Sequence, residues 1–215
     1  MSFDPGLFMK AMSHQAPPYI LEHLNLVLIP MGIAILIALP TGIVITRPGY
    51  RHLSPRIMAV FNAGQTIPPL AVIAIFFPFL GLGYGPAILA LTIYALMPIA
   101  RNTITGISTV PEDIKEAARG MGMTSWQVLR RVELPLSVPA IMSGIKTSAV
   151  LTVSTAVLAA LVGGKGMGAI IFAGINFFQP ELILAGTIYI GAMAVFIERF
   201  IVLMEWLLSP AHLKG

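Results

Sequence analysis

The sequence predicts an all-α integral membrane protein with about five transmembrane helices. Three observations predict it: charge is scarce, the uncharged runs are long, and the arginines fall in short loops between those runs. Of 215 residues, 57% are hydrophobic and 10% charged, whereas a soluble domain carries about 25% charged residues. So little charge cannot cover a globule in water, so most of the surface must meet lipid. Twenty glycines and seventeen prolines suit membrane helices, where neighbouring helices satisfy freed backbone groups. With no cysteine in the chain, disulfides, thiolate nucleophiles and Cys-based metal sites are excluded.

Residues 1–23 contain Asp4, Lys10, His14, Glu22 and three prolines. They lack an apolar core with a small-residue cleavage site, so an extracytoplasmic N-terminal segment is expected rather than a cleaved signal. A crossing needs about 20 apolar residues. Residues 24–46 carry no charge, and neither do residues 57–100, a run long enough for two crossings. Its natural break is Gly81-Leu82-Gly83-Tyr84-Gly85-Pro86, a glycine-rich reversal, which separates spans over 57–80 and 86–106. Two more are expected over 138–162 and 182–204. The segment 163–180 is apolar, glycine-rich and too short for another pair, so it reads as extracytoplasmic or re-entrant. Residues 24–205 thus form one membrane domain, followed by a cytoplasmic tail over 206–215.

Orientation follows from the basic residues. Arg47, Arg51 and Arg56 follow span one, while Arg101, Lys115, Arg119, Arg130 and Arg131 follow span three. The other side holds Lys10 and Lys165. The positive-inside bias makes the arginine-rich side cytoplasmic, with the N-terminus outside and the C-terminus in the cytoplasm. The net charge of +4 therefore reflects topology, and no nucleic-acid partner is expected.

The one long polar segment, 107–135, has structure written into it. Thr109-Val110-Pro111-Glu112-Asp113 resembles a helix start, with proline in the first turn and acids at the positive end of the dipole. Gly120 and Gly122 end that helix. Thr124-Ser125-Trp126-Gln127 has capping-box spacing and opens a second helix whose apolar face is Val128, Leu129 and Val132, stopped by Leu134-Pro135. By composition alone, this hairpin is either a simple connector or a docking knob with little side-chain bulk.

The spacing adds to this. Glu116-Ala117-Ala118, three residues, Gly122, nine residues, Val132, one residue, Leu134-Pro135 resembles the EAA loop of binding-protein-dependent ABC importer permeases. Only Val132, standing for isoleucine, departs from that pattern. The resemblance implies a type I ABC importer permease fold whose cytoplasmic coupling loop docks on a separate ABC ATPase dimer. Glu116 would make polar contact there, and Gly122 would let the two helices turn. The chain has no phosphate-binding loop of the Gly-x4-Gly-Lys-[Ser/Thr] type. It is therefore expected to be a transport subunit rather than an enzyme, with ATP and magnesium held by the ATPase. A second permease copy or a homologous permease is implied as well.

Span two carries Asn62, Gln65 and Thr66 at helical spacing on one face, followed by Pro68 and Pro69. The prolines withhold donors from the helix ladder, and the freed carbonyls are tolerated where they meet protein or line a cavity. These five residues are candidates for the translocation path, with a packing kink as the equal alternative. Gly64 to Ala71, Gly81-Leu82-Gly83 and Leu161 to Gly168 look like osmoprotectant importer permeases, which move glycine betaine, choline, carnitine or proline betaine. In that family an extracytoplasmic binding protein holds the aromatic cage for the quaternary ammonium. A methionine or other amino-acid ABC permease shares the loop and is the alternative. A secondary transporter would want internal repeats and midplane charges, and a membrane enzyme a catalytic pair; neither is evident.

Lys146 in span four is read as snorkelling toward the cytoplasmic interface. Glu198, Arg199 and Glu205 are expected to form interfacial ion pairs. Thr152, Ser154 and Thr155 are expected to let helices approach closely. The four histidines, His14, His23, His52 and His212, fall outside the expected spans and receive no role.

Overall fold

A computed structural model describes residues 3–209, and the described residues are helical with no strand. Residues 210–215, including His212 and most of the expected tail, lie outside it. Ten α-helices follow one another: α1 (Pro5–Lys10), α2 (Ile20–Ile45), α3 (Ser54–Thr66), α4 (Pro69–Leu80), α5 (Tyr84–Ser108), α6 (Glu112–Gly120), α7 (Ser125–Val128), α8 (Leu134–Thr155), α9 (Met167–Asn176) and α10 (Pro180–Leu208). Four helical runs, Pro5–Ile45, Tyr84–Ser108, Ser125–Val162 and Pro180–Leu208, are long and apolar enough to cross a membrane, and the pair α3–α4 makes up to five.

The core is a trio of α2, α5 and α8 with α10 against it. Leu26, Val27, Met31, Ala34 and Ala38 of α2 meet Leu91, Ala95, Ile99 and Ala100 of α5, and Met142, Ala149 and Val153 of α8. Alanine recurs because lipid gives helices no hydrophobic reason to associate, so close van der Waals contact between small residues must supply the attraction. Three glycines bring the backbones closer still. A Cβ on Gly42 would stand 2.8 Å from Thr103 Cγ2, one on Gly106 2.8 Å from Ala140 Cβ, and one on Gly144 2.7 Å from the Pro98 carbonyl oxygen. The outer face of α10, with Val195, Phe196, Phe200, Leu203 and Leu207, is exposed.

Interior prolines are accommodated as lipid-embedded helices allow. Pro30 and Pro40 lie inside α2, Pro98 inside α5 and Pro139 inside α8. Pro98 has no N–H for the carbonyl of Tyr94 one turn earlier, and Gln65 of α3 supplies a donor to it from Nε2 at 2.8 Å.

Where span two was expected as one kinked helix, α3 and α4 meet at 92°. Ile67 and Pro68 are extended at the break, with ψ of 130° and 140°. The cause is local: two successive prolines remove two donors, and each disfavours a helical residue before it.

Helix α2 begins at Ile20, four residues ahead of the expected span, and this corrects the reading of His23. His23 lies inside the helix, wholly buried, with Nε2 3.1 Å from the Val153 carbonyl oxygen. The expected ion pairs of Glu198, Arg199 and Glu205 are corrected too: among the described residues the ion pairs involve only Arg47, Glu112, Lys115, Arg119 and Glu133. Adjacent residues on a helix do not face each other, so Glu198 and Arg199 cannot pair directly.

The N-terminal segment packs on the start of α10: the Asp4 amide donates to Glu181 Oε1 at 2.7 Å and the Tyr189 hydroxyl to the Met12 carbonyl at 2.7 Å. The segment 163–180 holds α9, which packs on α10 and on the 3-10 turn Ala156–Val162. Nearby, the Tyr84 hydroxyl donates to Glu22, joining α5 to α2.

Candidate functional site

The hairpin between α5 and α8 opens as the sequence spells it, but its expected stop at Leu134-Pro135 is corrected: the helical run continues from Ser125 to Val162, with Pro135 in the first turn of α8, a position where a proline's missing N–H is tolerated. Pro111 is the N-cap of α6, with Glu112 and Asp113 in the first turn. Glu112 Oε2 meets Lys115 Nζ at 2.8 Å, and Glu112 Oε1 accepts from Arg119 Nη1 at 2.9 Å. These two cations hold the Glu112 carboxyl below the usual glutamate range, Lys115 contributing most. Helix α6 ends at Gly120, and Gly122 takes φ +82°, a left-handed turn that costs a side-chain-bearing residue about 1–2 kcal/mol. The capping box closes in both directions: the Thr124 amide donates to Gln127 Oε1 at 2.8 Å and the Gln127 amide to Thr124 Oγ1 at 3.3 Å.

The motif residues divide into two groups. Glu116 and Ala117 are exposed on α6, while Ala118 is buried and seats the helix. Val132, Leu134 and Pro135 are half-buried where the second helix runs through a π-helical turn (Leu129–Glu133) into α8. Composition reasoning missed the apolar tip. Ile114 is 42% exposed, Met121 72% and Trp126 64%, so large apolar side chains face outward on a polar hairpin. The signal was present: Trp126 lies off the apolar stripe of Val128, Leu129 and Val132.

Beneath the hairpin is a cleft of about 290 Å³, lined by Arg47 and Arg51 from the loop after α2, Glu112, Lys115 and Arg119 from α6, and Glu133. The two arginine-bearing loops therefore lie at one end of the molecule. Glu133 is 5% exposed, and its Oε2 lies 2.6 Å from Arg47 Nη2, an ion pair without hydrogen-bond alignment.

The candidate path residues sit at the α3–α4 break. Asn62, Thr66 and Pro68 are exposed there, and Gln65 and Pro69 are half-buried. Gln65 spends its amide on Tyr94, and the Thr66 hydroxyl donates to the Asn62 carbonyl at 3.0 Å. Lys146 is half-buried on α8. Thr152 is buried, its hydroxyl donating to the Ser148 carbonyl at 2.7 Å with Met31 Sδ at 3.6 Å, whereas Ser154 is exposed and bonds its own helix.

Apolar helices of membrane length, with a hairpin of exposed apolar tip at the arginine-rich end, define a multi-pass membrane protein. The chain belongs to the family of binding-protein-dependent transport system inner membrane components, whose model matches residues 24–208. It is 40% identical over 194 residues to the glycine betaine/carnitine/choline transport system permease protein OpuCB of Bacillus subtilis, covering 90% of this chain and 88% of that protein. It is 44% identical over 194 residues to the osmoprotectant import permease protein OsmY of Salmonella typhimurium, covering 88% of this chain and 80% of that one. The fold matches an inward-facing methionine ABC transporter, MetNI, with a TM-score of 0.77 at 23% identity, covering 90% of this chain and 95% of the other. The type I ABC importer permease fold is thereby shown, and with it an inner-membrane, multi-pass subunit of a family of transport permeases rather than enzymes. Such subunits work with ATPase and permease partners.

Proposed function

We propose that this chain is the permease of an ATP-driven, binding-protein-dependent importer of quaternary amine osmoprotectants: glycine betaine, choline, carnitine or proline betaine. The observation that carries the reading is the likeness, along nearly the whole chain, to relatives named for glycine betaine, carnitine and choline or for osmoprotectants. The likeness to amino-acid transporters, at 23% and 16% identity, speaks for the fold and not for their cargo.

In this reading the arginine-rich end faces the cytoplasm and the N-terminus faces outward. The exposed tip around Glu116, Ala117, Met121 and Trp126 docks on an ABC ATPase dimer, which holds ATP and magnesium. A second permease copy or a homologous permease completes the pathway, and an extracytoplasmic binding protein delivers the solute. Closure and opening of the ATPase dimer move the hairpin, and the bundle alternates its access. The break at Pro68-Pro69, with Asn62, Gln65 and Thr66 beside it, contributes to the path.

The test is uptake of labelled glycine betaine and choline in salt-stressed cells lacking other importers. Restored uptake with this gene supports the reading, and unchanged uptake of every quaternary amine sinks the substrate class. Topology reporters at residues 49 and 121 should both report the cytoplasm.

A further inference from the structure

Arg47 and Glu133 meet where α2 ends and the hairpin returns to α8. A carboxylate only 5% exposed has given up most of its hydration, and a single cation recovers only part of that cost. Apolar replacements of buried ion pairs are often neutral or stabilising, so cohesion alone does not account for this one. What a charged pair adds is a specified position.

The surroundings show what is positioned. Arg47 is oriented from its own side: Nε and Nη2 donate to Thr46 Oγ1 at 3.2 and 2.9 Å, and the Thr46 hydroxyl donates to the Ile43 carbonyl in the last turn of α2 at 2.6 Å. Glu133 is the N-cap of α8, and the Ser137 hydroxyl donates to its carbonyl at 2.6 Å. The other charges lining the cleft are Arg51, Glu112, Lys115 and Arg119. Glu112 engages Lys115 and Arg119 within α6, and among the described residues Glu133 pairs with Arg47. Toward the bilayer, Gly42, Gly106 and Gly144 let α2, α5 and α8 approach so closely that an added Cβ would clash.

We propose that the Arg47–Glu133 pair is a positioning latch, which makes the arginine-rich end of α2 move as one body with the hairpin and α8. Helix α2 is remote in sequence from the hairpin, and the latch joins it to the element that receives the stroke. Motion is then taken up elsewhere, at the α3–α4 break. The inference rests on the hairpin being the ATPase-docking element.

The chain has no cysteine, so two labels can be placed cleanly. Nitroxides at Val44→Cys and Arg131→Cys, both exposed sites, are followed by electron spin resonance in the reconstituted permease–ATPase complex, with and without ATP. With labelled chain diluted in unlabelled permease, so that only the pair within one chain is read, the expected result is one narrow distance distribution that does not change with nucleotide. In Glu133→Gln and Arg47→Gln it broadens, and solute moved per ATP hydrolysed falls about tenfold while the ATPase stays bound. The exchanged pair, Arg47→Glu with Glu133→Arg, restores both readouts, which a merely misfolded protein would not do. A distance that shifts with ATP in the parent chain overturns the latch. So does a single variant with unaltered distance or coupling, or an exchanged pair no better than the single variants. Trp126→Asp is run alongside: retention of the ATPase in that variant sinks the docking reading, whereas the label distances judge the latch itself.

Discussion

Gln65 on α3 donates its side-chain amide to the backbone carbonyl of Tyr94 on α5 at 2.8 Å, the carbonyl that Pro98 deprives of a donor. One residue of the polar face that the sequence offers as a solute path thus serves the packing of a broken helix. Removing it leaves a carbonyl without that partner among helices, at a cost of about 1–3 kcal/mol. Gln65→Leu should therefore lower the thermal stability of the purified protein. Pro98→Ala returns the missing N–H, so Gln65→Leu should cost much less in a Pro98→Ala background. Additive losses in that double-mutant cycle would show that Gln65 and Pro98 are not linked.

Met121 and Trp126 expose 72% and 64% of their surface at the turn of the hairpin. Neither supports the bundle, so Met121→Asp or Trp126→Asp should leave expression and thermal stability within about 0.5 kcal/mol of the parent, as exposed substitutions do. Placed in a docked apolar tip, the same charge is desolvated without a partner and costs several kcal/mol of binding. Co-purification of the ATPase should drop sharply in both variants, and full recovery of the ATPase would remove this tip from the interface.

The sequence made the first helix of the hairpin and its turn legible, because their signals are local, but it read Leu134-Pro135 as a stop where the helix runs on into α8. Pro111, the paired acids, Gly122 and the Thr124–Gln127 spacing each act within a few positions and need no tertiary context. The all-helical, apolar character was legible for the same reason, in uncharged stretches of membrane length. What escaped depends on partners distant in the chain. His23 reads as a loop residue until the carbonyl of Val153 is beside it, and Glu133 is one unspecified position of a motif until Arg47 reaches it. Gln65 reads equally as lining or as packing, and its bond to the Tyr94 carbonyl is visible only once Pro98 is placed one turn further on. The 92° turn at Pro68-Pro69 was visible as a disturbance, but its angle depends on how α4 packs against α5.

Glu112 ties down the first helix of the hairpin through Lys115 and Arg119, which hold its carboxyl below the ordinary range. A depressed carboxyl contributes above its unfolded value of about 4.3, and the contribution is lost as pH falls through the lower folded value. Hydrogen exchange of the α6 amides should therefore hold steady from neutral pH down to about 4.3, once the intrinsic pH dependence is removed, and accelerate below it. Since the group is exposed, salt should weaken the effect. Glu112→Gln should remove the acid limb; an identical limb in that variant would assign it to another group.

Gly144 and Gly191 give opposite expectations for the same substitution. On Gly144 a new Cβ would lie 2.7 Å from the Pro98 carbonyl oxygen and 2.7 Å from Asn102 Cβ, whereas on Gly191 it would meet nothing within 4 Å. Backbone cannot rotate aside as a flexible side chain can, so Gly144→Ala must push α8 away from α5, and overpacking of this kind costs about 1–3 kcal/mol. The separation would also disturb the Ser148 hydroxyl, which donates to the Ala95 carbonyl across the same interface at 2.8 Å. Gly191→Ala gains the helix preference of alanine over glycine, about 0.8–1 kcal/mol, without a clash. Thermal unfolding of the two variants in detergent should move in opposite directions. A Gly144→Ala protein as stable as the parent would mean that α5 and α8 are free to shift, and that the rigid trio on which transmission from the hairpin depends is looser than its contacts imply.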